Sequence, residues 1–144
     1  GQTLEKGLGL GRCLLFLKAT NAEKLGCYYA HGFDDPAAAR KLSALTRGET
    51  LLAKLFTLTS GSLWVHPDRV RLARQKLDEE LRPHVLESGL LLGTIHLKER
   101  PVGVIWADSG SPALALNKQH YDEFKHMIRH FGTEFSRLTN ARRS

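Results

Sequence analysis

Two adjoining apolar segments stand out in the hydrophobic pattern of the chain. They lie between Ser88 and Ser109 and are joined by a short polar turn. Apolar residues occupy both alternate and intervening positions, so each segment is predicted to be a strand buried on both faces. The fold must therefore cover a sheet from two sides, which excludes a hairpin lying on a surface. In the second segment, one face is expected to hold Val102, Val104 and Trp106, and the other Gly103, Ile105 and Ala107.

The second strong pattern is a helical stripe near the carboxyl terminus. Large apolar residues recur at intervals of three and four between about 117 and 139, a spacing that places side chains on one side of a helix. We expect this stripe to pack on the sheet, although the same spacing also suits a seam with a partner helix. The stripe consists of Tyr121, Phe124, Ile128, Phe131, Phe135 and Leu138, with Met127 beside it.

Shorter segments complete the predicted order of elements. Apolar and β-branched or aromatic runs indicate strands, and prolines next to acidic residues mark helix starts. After a short helical stretch, the order is strand, strand, two helices, strand, helix, strand, strand, helix. These shorter elements are strands at 12–17, 24–30 and 63–66, and helices at 4–10, 37–45, 49–58 and 67–83.

The length and composition fit one globular domain. The 144 residues are 42% hydrophobic and 25% charged, which is ordinary for a globular protein. No apolar run approaches the ~20 residues that a membrane span needs. Gly1 in place of a methionine and a basic tail after the last helix indicate a single domain, residues 1–144, excised from a longer protein. Two cysteines and no signal-peptide pattern favour the reducing cytoplasm.

The positive net charge raises the question of nucleic-acid binding. The chain carries a net charge of +6, and clustered Lys and Arg residues neutralise phosphates. The densest basic stretch, from Arg69 to Lys76, distributes its charges around a helix and is followed directly by acidic residues. A solvated basic surface is the better interpretation, and nucleic acid is not expected as a partner.

The histidines and cysteines do not form a recognisable metal or catalytic site. His126 and His130 are four positions apart on the last helix, but they lie opposite the apolar stripe and lack a third ligand, so no metal is predicted. Cys13 and Cys27 could meet across the first hairpin, yet a reactive thiol needs an environment that lowers its pKa. Buried, unreactive thiols are the better interpretation, and no catalytic residue is named.

Four segments of the chain resemble one protein family. They are Gly7–Leu17, Arg47–Phe56, Leu63–Asp68 and Leu91–Asp108. Through them the chain resembles the GAF domain, a small sensory and dimerisation module of signalling proteins. It looks most like the GAF-like domains that follow an HDOD domain, a non-catalytic relative of HD phosphohydrolases, in bacterial regulatory proteins.

The resemblance implies an α+β fold of GAF-like, or profilin-like, architecture. A central antiparallel sheet would carry the terminal helices on one face, while inner helices and loops would enclose a pocket on the other. The implied function is that of a non-catalytic regulatory domain that binds a small ligand or a partner and forms a homodimer. The implied setting is a cytoplasmic bacterial protein with an HDOD domain in the same chain. The candidate ligand contacts are Leu52, Phe56, Trp64 and His66, and the candidate packing or dimer contacts are Tyr121, Phe124, Ile128 and Phe131.

Departures from the family pattern limit what the resemblance implies about a ligand. Members that bind cyclic nucleotides have a Phe ahead of Asp-Glu, whereas Asp122 and Glu123 precede Phe124 here. Members that bind bilins use a loop cysteine, and both cysteines here fall within predicted strands, so no cofactor is named. His66 and Trp64 also have a structural interpretation, as a strand-end cap and a core aromatic. Two further alternatives remain open: a structural module whose pocket is filled by its own Leu and Phe side chains, and a thiol-dependent reductase of free methionine sulfoxide.

Overall fold

The computed structural model describes residues 10–19, 23–58 and 61–143, with side chains as far as residue 133. The helical stretch expected at 4–10 lies outside this part except for its last residue, and so do the side chains of Phe135 and Leu138. The described part forms one sheet with helices on both faces, so the predicted α+β class is confirmed.

The sheet of the described part consists of six antiparallel strands. They are β1 (Arg12–Lys18), β2 (Lys24–His31), β3 (Ser43–Leu45), β4 (Ser62–Val65), β5 (Leu90–Leu97) and β6 (Arg100–Asp108). Their spatial order is β3-β2-β1-β6-β5-β4. The pairing of β1 with β6 joins the first hairpin to the second, and β3 and β4 form the two edges.

Helices and short 3-10 turns connect the strands. The helices are α1 (Pro36–Ala39), α2 (Leu51–Phe56), α3 (Val70–Gln75) and α4 (Lys118–Arg143), and the 3-10 turns are Pro67–Arg69 and Glu79–His84. Asn117 caps α4, because its Oδ1 accepts a hydrogen bond from the His120 N–H. His120 Nδ1 in turn accepts one from the Asn117 N–H, which completes a reciprocal cap.

The helix expected at 37–45 is wrong in its second half. α1 ends early, and Ser43–Leu45 forms β3 instead. Leu45 pairs with Lys24 of β2, and its N–H donates a hydrogen bond of 3.0 Å to the Asp78 carboxylate. Distant segments thus provide backbone partners that outweigh the helical preference of a short Ala-rich stretch.

The single helix expected at 67–83 is also wrong, because three short pieces replace it. α3 follows the 3-10 turn at Pro67–Arg69 and precedes the one at Glu79–His84, which contains Pro83. Asp78 interrupts the helix with a non-helical backbone, φ −53° and ψ 141°, and its carboxylate reaches β3. The predicted apolar positions are nevertheless all buried: Val70, Ala73, Leu77 and Leu81.

Two hydrophobic clusters cover the sheet, one on each face. The first cluster receives α2 and α3, and the second receives α4. β5 belongs to both, because Leu90 and Leu92 lie in the first cluster while Leu91 and Ile95 lie in the second. The predicted coverage of this strand pair from two sides is confirmed.

Val102 lies on a different face from the predicted one. The register between β5 and β6 shifts between Ile95 and His96, and Val102 packs against the second cluster while Val104 lies in the first. A bulge of this kind inserts one extra residue and locally reverses the alternation of faces.

α4 packs closely on β5 at Gly93. A β-carbon at this position would overlap Cδ1 of Ile128 and would lie 3.1 Å from the Phe124 ring. Glycine therefore sets how closely the helix packs on the sheet. This contact places the apolar stripe of α4 directly over β5.

Candidate functional site

The four candidate ligand contacts lie on opposite faces of the sheet. Leu52 and Phe56, on α2, are buried in the first cluster. Trp64, on β4, packs against the second cluster, with its ring centroid 6.2 Å from that of Tyr121. The rings of Trp64 and His66 are neighbours, with centroids 5.3 Å apart. The four residues therefore form two separate pairs, Leu52 with Phe56 and Trp64 with His66, and not one site.

His66 caps the 3-10 turn that follows β4. Its Nδ1 accepts a hydrogen bond of 3.2 Å from the Asp68 N–H, and the Asp68 carboxylate lies 3.4 Å from the same nitrogen. The imidazole is otherwise exposed. This geometry matches the capping role that the sequence offers as the alternative to ligand contact.

Side chains of the chain itself occupy the space between the sheet and its inner helices, α2 and α3. The first cluster is built from aliphatic and aromatic residues of the strands, the helices and the turns. At least five of these side chains are almost completely removed from solvent: Phe16, Leu52, Leu77, Leu81 and Trp106. The inner face thus contains a packed core, and a cleft of about 570 Å³ lies at its rim, lined by residues that include Ala44, Thr50 and Leu77.

The four candidate packing or dimer residues lie on α4 against the second cluster. Phe124 and Ile128 are buried in it, and Tyr121 and Phe131 are partly buried and pack against it. The Tyr121 hydroxyl lies 3.0 Å from Oγ of Ser62, which ties α4 to β4. These four residues are therefore used for packing within the domain.

A buried ion pair lies at one end of β1 and β6. The Asp108 carboxylate, 0% exposed, accepts hydrogen bonds of 2.9 Å and 2.7 Å from Nε and Nη2 of Arg12. It also accepts one of 2.9 Å from the Gly110 N–H and a longer one of 3.4 Å from the Trp106 indole. Both carboxylate oxygens are thus engaged, which is the condition for tolerating a charge in a protein interior.

The Arg12 guanidinium connects this ion pair to neighbouring segments. Its Nη2 donates a hydrogen bond of 2.7 Å to the His84 carbonyl, and its Cζ lies 4.4 Å from the centroid of the Phe33 ring. The Phe33 and His84 rings meet edge-on, with centroids 6.1 Å apart. Burial, and secondly the charge of Arg12, lower the pKa of His84 below its ordinary value. The ion pair therefore connects β1, β6 and the second 3-10 turn next to the His84 imidazole.

A cleft of about 560 Å³ lies between α4 and the edge of the sheet formed by the start of β4 and the end of β5. Its walls carry basic groups from two elements: Lys98 from the β5–β6 turn, and Lys125 and Arg129 from α4. Thr94 and His96 of β5 form part of its floor. The volume lies in the range of small-molecule sites.

No family model matches this sequence, and no curated protein matches it either. Solved structures match nearly the whole chain. A segment of a methyl-accepting chemotaxis protein has a TM-score of 0.72 at 18% identity, covering 97% of this chain and 86% of that one. The second GAF domain of DevS from Mycobacterium smegmatis has 0.69 at 16%, covering 97% and 90%. A GAF domain/HD domain protein from Geobacter sulfurreducens has 0.69 at 13%, covering 96% and 88%.

The chain has the GAF fold. Its antiparallel sheet, with α2 and α3 on one face and α4 on the other, is the architecture that the sequence resemblance implied. Within this GAF fold, the ion pair lies on the face of the inner helices, at one end of β1 and β6. The cleft lies beside α4, at the β4 edge of the sheet.

The two cysteines of the GAF fold do not lie opposite each other. They fall within strands as predicted, but Cys13 pairs in register with His31, and Cys27 pairs with Phe16. Cys13 belongs to the second cluster and Cys27 packs against the first, so the expectation that they could meet is wrong. Burial raises the pKa of the Cys27 thiol to about 11. A thiolate at Cys27 is disfavoured, and the thiol-enzyme alternative gains no support.

The part of the chain that the structure describes contains no candidate metal site and no candidate membrane-spanning helix. None of its His, Cys, Asp and Glu side chains form a group of three or more placed to hold a metal ion. His126 and His130 are both exposed on α4. Among the same residues, no helix combines the length and the apolar character needed to cross a bilayer.

Sequence reasoning missed the residues of the ion pair and of the cleft. Arg12 and Asp108 each lie at the end of an apolar strand, where charged residues are common and do not indicate a buried pair. Lys98 and Arg129 carry no signal either, because exposed basic residues are common on any domain surface. Only the tertiary structure brings them to one cleft.

Proposed function

We propose that this chain is a non-catalytic sensory module of a bacterial cytoplasmic signalling protein. The GAF fold supports the proposal, because the same fold occurs in a chemotaxis protein and in a domain of DevS. In this proposal the module binds a small ligand or a partner, and α4 passes the change to the rest of the protein. A ligand has this effect only if it binds two arrangements of α4 with different affinities.

The main observation behind the proposal is the position of β5 between the two clusters. Leu91 and Ile95 contact the cluster under α4, while Leu90 and Leu92 contact the cluster of the inner helices. α4 has 26 residues and is therefore about 39 Å long. A rearrangement on either face has a short physical route to this helix.

Native mass spectrometry of the purified protein, repeated under denaturing conditions, tests the ligand. We expect an extra mass that is lost on denaturation, and hydrogen exchange of α4 that changes when the ligand is removed. A bare polypeptide mass in both spectra, with α4 exchange unaffected by a bacterial metabolite extract, would contradict the sensory proposal.

Dimerisation is a further part of the proposal. Phe124 and Ile128 of α4 are already buried against the sheet, so a dimer contact would use other residues of the chain. Sedimentation velocity over a concentration series measures it. A single monomeric species at all concentrations up to about 100 μM would refute the proposed dimer, because a regulatory dimer needs a dissociation constant near or below that value.

We also propose that the module works beside an HDOD domain in a longer chain. The similarity to a GAF domain/HD domain protein supports this pairing, since HDOD domains are relatives of HD domains. The sequence of the complete coding region tests it directly. A different neighbouring domain would refute it.

A structural module without a ligand is the second candidate. The packed inner face favours it, because leucine and aromatic side chains of the chain occupy the space between sheet and inner helices. A bare mass together with a stable dimer in the experiments above would favour this candidate over the sensor.

A further inference from the structure

The cleft beside α4 lies at the edge of the sheet where β4 begins, outside the packed first cluster. We propose that it binds a small dianion, a molecule with a phosphate or two carboxylates, between the β5–β6 turn and α4. This inference deepens the proposed function and rests on it for any signalling role, whereas the binding itself is measurable independently.

Among the described residues that line the cleft, basic groups outnumber acidic ones. Lys98, Lys125 and Arg129 face one carboxylate, that of Glu99, which leaves an excess of positive charge. The side chains of Lys98 and Arg129 make no hydrogen bond or ion pair with any residue in the described part. Cations that lack partners in a concave site attract an anion and raise its local concentration. The guanidinium in addition offers paired donors that match carboxylate and phosphate oxygens.

The third cation is only partly neutralised. Nζ of Lys125 lies 3.5 Å from Asp122 Oδ1 and 4.5 Å from the centroid of the Tyr121 ring. The Asp122 carboxylate is shared, since its Oδ2 accepts a hydrogen bond of 2.7 Å from Lys118. Lys125 can therefore turn to an anion in the cleft while Asp122 keeps one partner.

The β5–β6 turn presents Lys98 in a strained backbone conformation. Lys98 has φ 51° and Glu99 has φ 69°, both in the left-handed region. Tight hairpin turns with two such residues usually contain Asn or Gly. Strain of this kind is concentrated at functional sites, and here it fixes the base of a cationic side chain at the mouth of the cleft.

Polar groups on the floor of the cleft already have partners within the fold. The Thr94 hydroxyl donates a hydrogen bond of 2.9 Å to the Leu55 carbonyl, and His96 Nε2 lies 3.2 Å from the Leu58 carbonyl. These bonds hold the floor of the cleft in place. The flexible side chains of Lys98, Lys125 and Arg129 are therefore the groups that would contact an anion. Charge and size, rather than a specific hydrogen-bonding pattern on the floor, select the ligand.

An anion in this position connects the sheet to α4. Lys98 belongs to the turn between β5 and β6, whereas Lys125 and Arg129 belong to the helix. A bound dianion would neutralise cations on both elements and favour the arrangement that keeps them close. This is a direct physical means for a ligand to bias α4.

Nuclear magnetic resonance titration of the full chain tests the site. Inorganic pyrophosphate and succinate serve as the two probes, and saturable shifts are expected for amides at 98–100 and 125–133. Arg129→Gln and Lys98→Asn should each weaken binding about tenfold, as expected for one charge-assisted contact. Asn suits a left-handed turn, so weaker binding by Lys98→Asn would not reflect unfolding.

The matched control is Arg71→Gln on α3, which removes an exposed cation distant in the fold from the cleft. Its affinity for either probe should equal that of the wild type. The proposal is overturned if neither probe gives saturable shifts, or if Arg71→Gln weakens binding as much as Arg129→Gln. Saturation by pyrophosphate alone assigns a phosphate ligand, and saturation by succinate alone assigns a dicarboxylate.

Hydrogen exchange of α4 with the bound probe separates this inference from the proposed function. Slower exchange in α4 supports both. Binding that leaves α4 exchange unchanged keeps the anion site and refutes its role in signalling. Absence of binding refutes the anion site, while the native mass spectra still decide whether another ligand exists.

Discussion

Replacing Asp108 by alanine should destabilise the fold far more than breaking an exposed ion pair. The substitution leaves the Arg12 guanidinium, whose side chain is 14% exposed, without its carboxylate partner. It also removes the acceptor for the Gly110 N–H. Breaking one side of a buried ion pair costs about 3–5 kcal/mol, a large part of the ~5–15 kcal/mol by which a domain is stable.

Urea unfolding followed by tryptophan fluorescence measures this loss. With a slope of about 2 kcal/mol per molar urea, the midpoint of Asp108→Ala should fall by roughly 2 M. The control is Glu49→Ala, which breaks an exposed pair in which Glu49 lies 3.0 Å from Lys54. That variant should lose ~1 kcal/mol or less. Equal midpoints for the two variants would refute the argument that Asp108 is held by a buried, fully engaged pair.

A double variant separates the unpaired charge from the lost packing. Arg12→Leu combined with Asp108→Ala removes both charges, so the penalty for an isolated buried guanidinium disappears. We expect the double variant to be more stable than Asp108→Ala alone. A double variant at least as unstable as the sum of the single variants would assign the loss to packing around the side chains.

Three further predictions concern other parts of the fold. Gly93→Ala should lower stability by about 1–3 kcal/mol in thermal unfolding, because the added methyl overlaps Cδ1 of the buried Ile128 and crowds the Phe124 ring. An unchanged melting temperature would mean that the Ile128 side chain or α4 can shift without cost. Burial lowers the pKa of His84 in the folded protein below its ordinary value of 6.5, so the unfolded chain binds the proton more readily and the free energy of unfolding should fall as pH decreases below about 6.5. His84→Gln should make the free energy of unfolding depend less steeply on pH between about pH 7 and pH 5. An identical pH dependence in the variant would contradict the assignment to His84. Because the pKa of the Cys27 thiol is about 11, it should react with iodoacetamide at neutral pH much more slowly than glutathione does. Peptide mass spectrometry measures both rates. Equal rates would show that the burial of Cys27 is transient.

The sequence predicted those elements that bury one or both of their faces, because burial leaves a regular spacing of apolar residues. The stripe at Phe124 and Ile128 identifies α4, and the doubly apolar runs identify β5 and β6, because a side chain placed against a core must be apolar at regular intervals. The GAF resemblance then ordered these elements correctly into a sheet with a helix on one face and inner helices on the other.

Features that depend on distant partners were not accessible from the sequence. β3 exists because Leu45 pairs with Lys24 and with Asp78, and the bulge at Val102 depends on the register of a neighbouring strand. Arg12 and Asp108 form an ion pair although 96 positions separate them. The cleft likewise requires a turn and a helix to meet. Contacts between segments that are distant in the sequence leave no local pattern of polar and apolar residues.

The central position of β1 has a consequence for how the chain acquires its structure. β1 is among the first described strands, yet it lies between β2 and β6, and Arg12 must find its partner at Asp108. During synthesis, the first hairpin therefore exposes an unpaired edge until β6 has left the ribosome. Such long-range pairing slows folding and leaves strand edges open to association with other chains. Nascent chains of this protein are thus most vulnerable to aggregation while residues 32–99 are being made, and a chaperone that covers the β1 edge would protect them in that interval.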